Sequence, residues 1–177
     1  DSVNCIREPF IGELYSRVSR LLQLPPRNFE SVEFVHYQPG QHYTWHRDEF
    51  SWNAKKPDPA TVLAGPRILT MFFYLSTVEE GGETAFAGAP HESKLADSRF
   101  SGKRLSPRVM VKPVKGKAIL WANMRGDDWH ESEPGSSHTA LPVMRGIKWA
   151  ATIWVHANGF RIPEQYAGRE CSIRYAR

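Results

Sequence analysis

The chain has 177 residues, 41% hydrophobic and 12% aromatic, with a formal charge of +4. That profile fits one folded domain with a sizeable core and excludes a disordered chain. The charge comes without a dense Lys/Arg run, so nucleic acid is not an expected partner, and no apolar run approaches the ~20 residues of a membrane span.

Only Cys5 and Cys171 are present, too few for a disulfide framework or a zinc cluster. Whether they pair is left open. The chain starts at Asp1 with no visible signal peptide, so it reads as a processed form. Compartment and oligomeric state are not readable.

Taken in order, Ile6 to Leu24 has the periodicity of an amphipathic helix, with Ile6, Phe10, Leu14, Val18, Leu21 and Leu22 as its apolar face. Pro9 falls near its start, and Leu24-Pro25-Pro26 ends it. Ser31 to Tyr37 alternates as a strand, with Val32, Phe34 and His36 on one face and Glu33, Val35 and Tyr37 on the other. Pro39-Gly40 is a turn, and His42 to Asp48 is the next strand. Phe50 to Pro66 reads as a long loop, of the kind that often forms a functional lid.

Arg67 to Leu75 is nearly continuous apolar sequence, a strand buried on both faces. A turn at Glu79-Glu80-Gly81-Gly82 precedes a strand over Glu83 to Phe86. Ala87 to Pro107 is a second long loop. Strands follow over Val109 to Pro113 and Gly116 to Trp121, then a polar loop over Asn123 to Ser137. After a turn at Met144 to Gly146, Lys148 to His156 is the last long strand, and the tail beyond Gly159 reads as peripheral. One helix followed by many short strands indicates an all-β sandwich or barrel with a flanking N-terminal helix.

His46-x-Asp48 is the first chemical signal. A strand puts residues i and i+2 on one face, so an imidazole and a carboxylate would stand side by side. That is two thirds of the two-His-one-carboxylate arrangement that holds non-haem Fe(II) with positions left open. By itself the pattern is weak, because polar pairs on exposed strands are common. Among the other histidines, packing, surface or cap roles account for His36, His42, His91, His130 and His156. His138 stands out by context, ten residues before Lys148. Lys148 lies in an apolar strand and needs an anion if it points inward. If it points outward it is an ordinary surface lysine, and the residues alone leave both open.

Several separated blocks then occur in one order. They are Tyr37-Gln-Pro-Gly-Gln-x-Tyr43-x-x-His46-x-Asp48, Tyr74-Leu75 followed by Glu-Glu-Gly-Gly-Glu-Thr84-x-Phe86, Val111-Lys-Pro-Val-Lys-Gly116, and His138 with Gly146-x-Lys148-Trp149. This series resembles the catalytic domain of the prolyl 4-hydroxylases, which are Fe(II)- and 2-oxoglutarate-dependent dioxygenases. The match runs from about Phe34 to His156.

The resemblance implies a mainly β, double-stranded β-helix: a cupin-like jelly roll with a flanking helix. It implies residues 1–177 as one catalytic domain, lacking part of the family's N-terminal region. It assigns His46, Asp48 and His138 as metal ligands. Lys148 would neutralise the far carboxylate of 2-oxoglutarate, with Tyr37 hydrogen bonding the same group and Thr84 lining its pocket. Fe(II), 2-oxoglutarate and O2 are the implied requirements, with ascorbate as a helper. The implied reaction hydroxylates a proline in a peptide or protein and yields succinate and CO2. The endoplasmic reticulum or secretory pathway is the compartment the family suggests. The loops over 50–66 and 87–107 would cover the substrate, and Trp52 and Trp129 could line its groove. Two other readings stand beside this one: the same oxygenase chemistry on a free amino acid or small molecule, and a jelly roll that binds without catalysis.

Overall fold

The computed structural model describes residues 9–49, 59–87, 107–126, 131–159 and 172–175. Cys5, Cys171, His91, His130, Trp52, Trp129 and most of both long loops lie outside the described residues.

The strands form two principal sheets. The larger has the order β11-β1-β10-β3-β7, with β1 over Glu33–Tyr37, β3 over Arg67–Tyr74, β7 over Ala118–Ala122, β10 over Lys148–His156 and β11 over Ser172–Tyr175. The smaller has the order β2-β8-β5-β6, with β2 over Tyr43–His46, β5 over Thr84–Ala87, β6 over Pro107–Val111 and β8 over His138–Ala140. A short pair joins β4 (Glu80–Gly81) to β9 (Val143–Arg145). The chain passes repeatedly from one principal sheet to the other, which winds the strands into the expected jelly roll.

Period-two alternation sorts the side chains of the larger sheet. On β10, Lys148, Ala150, Thr152 and Trp154 alternate with Trp149, Ala151, Ile153 and Val155. Ala151, Ile153 and Val155 of the second set join the N-terminal helix, α1 (Pro9–Leu22), in a core that includes Ile11, Tyr15, Val18, Phe29 and Val32. The first set faces the smaller sheet, where Ala150 packs with Val35, Tyr37, Ala140 and Val143. The predicted faces of β1 are therefore the observed ones. His36, on the helix side, stacks on Trp149 with ring centroids 4.2 Å apart.

Helix α1 turns inward a stripe rotated slightly from the one its spacing suggested: Leu14, Val18 and Leu22 pack on the core as expected, joined by Ile11 and Tyr15 in place of Phe10 and Leu21. Ile11, Tyr15 and Val18 are buried, whereas Phe10 and Leu21 are 69% and 64% exposed. The physical reason is Tyr15. Its hydroxyl donates to the Glu30 carbonyl at 3.0 Å and accepts from the Val32 amide at 3.1 Å, which fixes the rotation of the helix. Ile11→Ala should therefore cost about 2–5 kcal/mol. Phe10→Ser should stay within about 0.5 kcal/mol of the parent. Denaturant unfolding of both variants checks this, and equal losses would contradict the assigned face.

Four further expectations change. The second strand ends at His46, so Asp48 sits in the bend just past it. The loop over 50–66 contains a short helix, α2 (Pro59–Ala64). The tail is not peripheral, because Ser172–Tyr175 pairs in parallel with β1 as an edge strand. His156 is neither a surface nor a cap residue. It is fully buried, with Nδ1 2.8 Å from the Gly65 carbonyl and Nε2 2.8 Å from Glu30 Oε1. Glu30 also takes both Nε and Nη2 of Arg67, so a buried charged cluster clamps the open end of β10 to β3.

Candidate active site

His46 and His138 are directly opposed partners across β2 and β8 of the smaller sheet. That register brings together two residues 92 positions apart in the chain. Their ring centroids lie 4.2 Å apart. The bend after β2 then folds Asp48 back toward both rings. His46 Nε2 is 3.5 Å and His138 Nε2 is 3.8 Å from the same oxygen, Asp48 Oδ1. One donor atom from each of the three residues lies within 4.8 Å of the others, the one such cluster among the described residues.

Each ring is held by its other nitrogen. His46 Nδ1 is 2.8 Å from the Thr44 carbonyl, and His138 Nδ1 is 2.8 Å from the Ser136 carbonyl. A carbonyl only accepts, so both Nδ1 atoms carry the proton and both Nε2 lone pairs face the cluster. This is the outer-shell pattern that sets imidazoles up as ligands.

Burial alone would raise the Asp48 carboxyl, but the two neighbouring imidazoles and the hydrogen bond from Thr70 outweigh it and hold it down at about 2. Burial lowers the His138 pKa, and the adjacent His46 adds to that against the pull of Asp48. The cluster thus presents a carboxylate beside an imidazole kept neutral, the protonation states that metal ligation requires. Two nitrogens and one oxygen on one side, with the other side open to a cavity, can hold Fe(II) and leave room for further ligands.

That cavity has a volume of about 260 Å³. The triad forms part of its wall, and Tyr37, Thr84, Phe72 and Trp121 line it too. Tyr37 and Lys148 are directly paired across β1 and β10. Lys148 is fully buried and points inward, which decides the question its sequence left open. Its Nζ lies 5.1 Å from the Tyr37 ring centroid and 5.7 Å from those of Phe72 and Tyr74. It donates to the Gly82 carbonyl at 2.7 Å. Burial drives its pKa down to about 7, with Glu83 pulling the other way.

The Gly81-Gly82 turn is what allows this approach. Gly81 has φ +76°, and a Cβ there would meet the Pro142 carbonyl oxygen at 2.3 Å. Only glycine fits so tight a left-handed position against β9. Thr84 follows at once, and its hydroxyl accepts from Tyr74 at 2.7 Å. Burial raises the Tyr74 phenol to about 12, so it stays a donor.

Every residue singled out for the site, namely Tyr37, His46, Asp48, Thr84, His138 and Lys148, lies at or directly behind this one cavity. Sequence reasoning missed Thr70, which bonds Asp48, and Trp121, whose ring meets His138 at 4.8 Å. A single threonine inside an apolar strand gives no pattern to read. Trp121 reads in the sequence only as the last residue of a predicted strand, although its register on β7 places it opposite Thr70 on β3.

Comparison with known proteins agrees with this geometry. The family model for the 2OG-Fe(II) oxygenase superfamily matches residues 32–156. A probable prolyl 4-hydroxylase of Arabidopsis thaliana is 34% identical over 165 residues, covering 88% of this chain and 52% of the relative. Prolyl 4-hydroxylase 2 of the same plant is 33% identical over 158 residues, with coverage of 87% and 50%. The chain therefore spans about half the length of the curated relatives it matches. Among solved structures, a viral collagen prolyl hydroxylase from Paramecium Bursaria Chlorella virus-1 superposes with a TM-score of 0.61 at 25% identity, covering 85% of this chain and 70% of that one. The matched span contains the three converging side chains, the inward lysine and every strand of the two principal sheets but β11, and the chain belongs to the 2OG-Fe(II) oxygenase superfamily.

Proposed function

We propose that this chain is a prolyl 4-hydroxylase-like dioxygenase, in which residues 1–177 form one catalytic domain acting on proline within a peptide or protein. The observation that carries the reading is the convergence of His46, Asp48 and His138 on a cavity backed by a buried, inward lysine. Its similarity to plant prolyl 4-hydroxylases and to a viral collagen prolyl hydroxylase supports proline as the target.

Iron held there would supply the redox chemistry that couples decarboxylation of 2-oxoglutarate by O2 to hydroxylation of a C–H bond, giving succinate and CO2. The protein's own residues do the rest. His46, Asp48 and His138 occupy one side of the site and leave the cavity side free. Lys148, whose ammonium bonds the Gly82 carbonyl, would meet the far carboxylate of 2-oxoglutarate. Tyr37 and Thr84 contribute hydroxyl donors to the same end of the cavity. Phe72 and Trp121 exclude water along its wall.

Lys148 sets a pH signature. With its pKa near 7 in the ligand-free protein, it is largely neutral in more alkaline solution. A bound carboxylate favours the ammonium, so binding takes up a proton. Proton uptake should be close to zero well below pH 7 and grow as pH rises above it, while affinity falls. Calorimetric titration of 2-oxoglutarate in buffers of different ionisation enthalpy measures this. A heat independent of buffer on the alkaline side would contradict it.

The substrate class is tested by succinate formation with Fe(II), 2-oxoglutarate, ascorbate and air. A proline-rich peptide should stimulate turnover and become heavier by one oxygen atom, since a polyproline II ligand loses little entropy on docking. Stimulation by free proline and not by peptide would replace the peptide substrate with a small one.

A further inference from the structure

Asp48 has two carboxylate oxygens, and the fold treats them differently. Oδ1 faces both histidine Nε2 atoms. Oδ2 accepts the Thr70 hydroxyl proton at 2.7 Å. Thr70 is fully buried at the centre of β3 and has only that one proton to give. Toward its other neighbour it is therefore an acceptor, and Asn123 Nδ2 donates to Thr70 Oγ1 at 2.8 Å. The direction of the chain is fixed: amide to hydroxyl to carboxylate. Turning the Asn123 amide over would set two acceptors against each other unless Thr70 gave up Asp48.

Asn123 is also fully buried and is anchored by its backbone, with its amide on the Ile68 carbonyl at 2.8 Å and its carbonyl accepting from Glu133 at 2.9 Å. Glu133 caps the 3-10 turn Pro134–Ser136, and the Ser136 carbonyl is the group that orients His138. One asparagine thus stands behind two of the three ligands. Its side chain reaches Asp48 through Thr70, and its backbone holds the segment that aims His138.

We propose that Thr70 and Asn123 are positioning residues that make Asp48 a one-oxygen ligand. They occupy Oδ2, leave Oδ1 at the point shared with His46 and His138, and so keep the carboxylate from taking a second position on the metal. This rests on the metal-centre reading above and adds to it what keeps the remaining positions open. Without the Thr70 hydroxyl, Oδ2 loses its partner and the carboxylate is free to rotate toward the metal.

The test uses Co(II) as a spectroscopic stand-in for iron, with no turnover involved. Thr70→Val keeps the shape and removes the hydroxyl; Thr70→Ser keeps the hydroxyl and loses a methyl. Thr70→Val should weaken Co(II) binding by roughly 10–100-fold and change the visible absorption of the bound ion. Thr70→Ser should keep the parent spectrum and stay within roughly threefold in affinity, well short of the outer-shell loss. Asn123→Leu should weaken binding severalfold, and adding it to Thr70→Val should cost little more, because both act through one bond. If Thr70→Val does not fold, as judged by thermal melting without metal, Asn123→Leu carries the test, and an unchanged affinity and spectrum there overturns the relay. Serine failing as badly as valine, or two fully additive substitutions, also overturns it. Parent protein that binds no Co(II) contradicts the metal-centre reading itself, whereas parent binding with an unaltered Thr70→Val contradicts the relay alone.

Discussion

His46→Ala should abolish iron binding and, with it, all succinate formation. The ring supplies one of three converging donors, and its Nε2 lies 3.5 Å from Asp48 Oδ1. No other described histidine or carboxylate joins the cluster to replace it. The loss should exceed the roughly 10–100-fold that a change in the outer shell costs. Folding should survive, because the His46 side chain is 30% exposed and lies at the end of a short strand. Asp48→Ala should have the same effect on the metal and a larger one on stability, since it strands the buried Thr70 hydroxyl. A metal that binds the folded state alone raises the melting temperature. Fe(II) under anaerobic conditions should therefore raise that of the parent and leave both variants unmoved. A metal-dependent shift in His46→Ala would remove His46 from the site.

Lys148→Met should separate binding from stability. It removes the one buried ammonium among the described residues, the group proposed to meet the far carboxylate of 2-oxoglutarate, while leaving the triad in place. A hydrogen bond to a charged group is worth about 1.5–3 kcal/mol. The 2-oxoglutarate requirement should thus rise roughly 10- to 150-fold with iron still bound. An unchanged requirement would take Lys148 out of the co-substrate pocket.

The same substitution should stabilise the protein without ligand. Lys148 has a pKa of about 7 in the fold against 10.5 for an unperturbed lysine. Between those values the unfolded chain holds a proton that the folded one has lost, so stability rises with pH across that window. The burden is full below pH 7 and gone above 10.5. Replacing the ammonium by an apolar side chain should gain on the order of a few kcal/mol at the acidic end, fading to nothing at the alkaline end. Unfolding curves across that range check the slope. On the proposed reading, the negative charge of the co-substrate would offset this cost of the buried lysine.

How far the sequence revealed this molecule depended on the range of the interaction. His46-x-Asp48 is a local signal, legible as a weak candidate although its strand ends at His46, and β10 was readable to its ends because its apolar run is long. Lys148 was not decided by its neighbours, because a lysine on either face of that strand obeys the same alternation. What turns it inward is the register with β1, which sets it opposite Tyr37. The position of His138 likewise depends on pairing with β2 across 92 residues. The family resemblance located it where periodicity could not. The apolar face read for helix α1 lies slightly rotated from the buried one, and the long-range bond of the Tyr15 hydroxyl, which no periodicity shows, sets the difference. Strand β11 was missed because four residues after a polar stretch look like tail until an unpaired edge of β1 is there to receive them.

The most direct measurement is turnover under labelled dioxygen, with a proline-rich peptide, Fe(II) and 2-oxoglutarate, followed by mass analysis of both products. The site described here predicts that succinate and peptide appear in equal amounts, that each carries oxygen from O2, and that His46→Ala yields neither. Succinate formed without O2, or from His46→Ala as readily as from the parent, would contradict the assignment of this cavity as the centre of a 2-oxoglutarate-dependent dioxygenase.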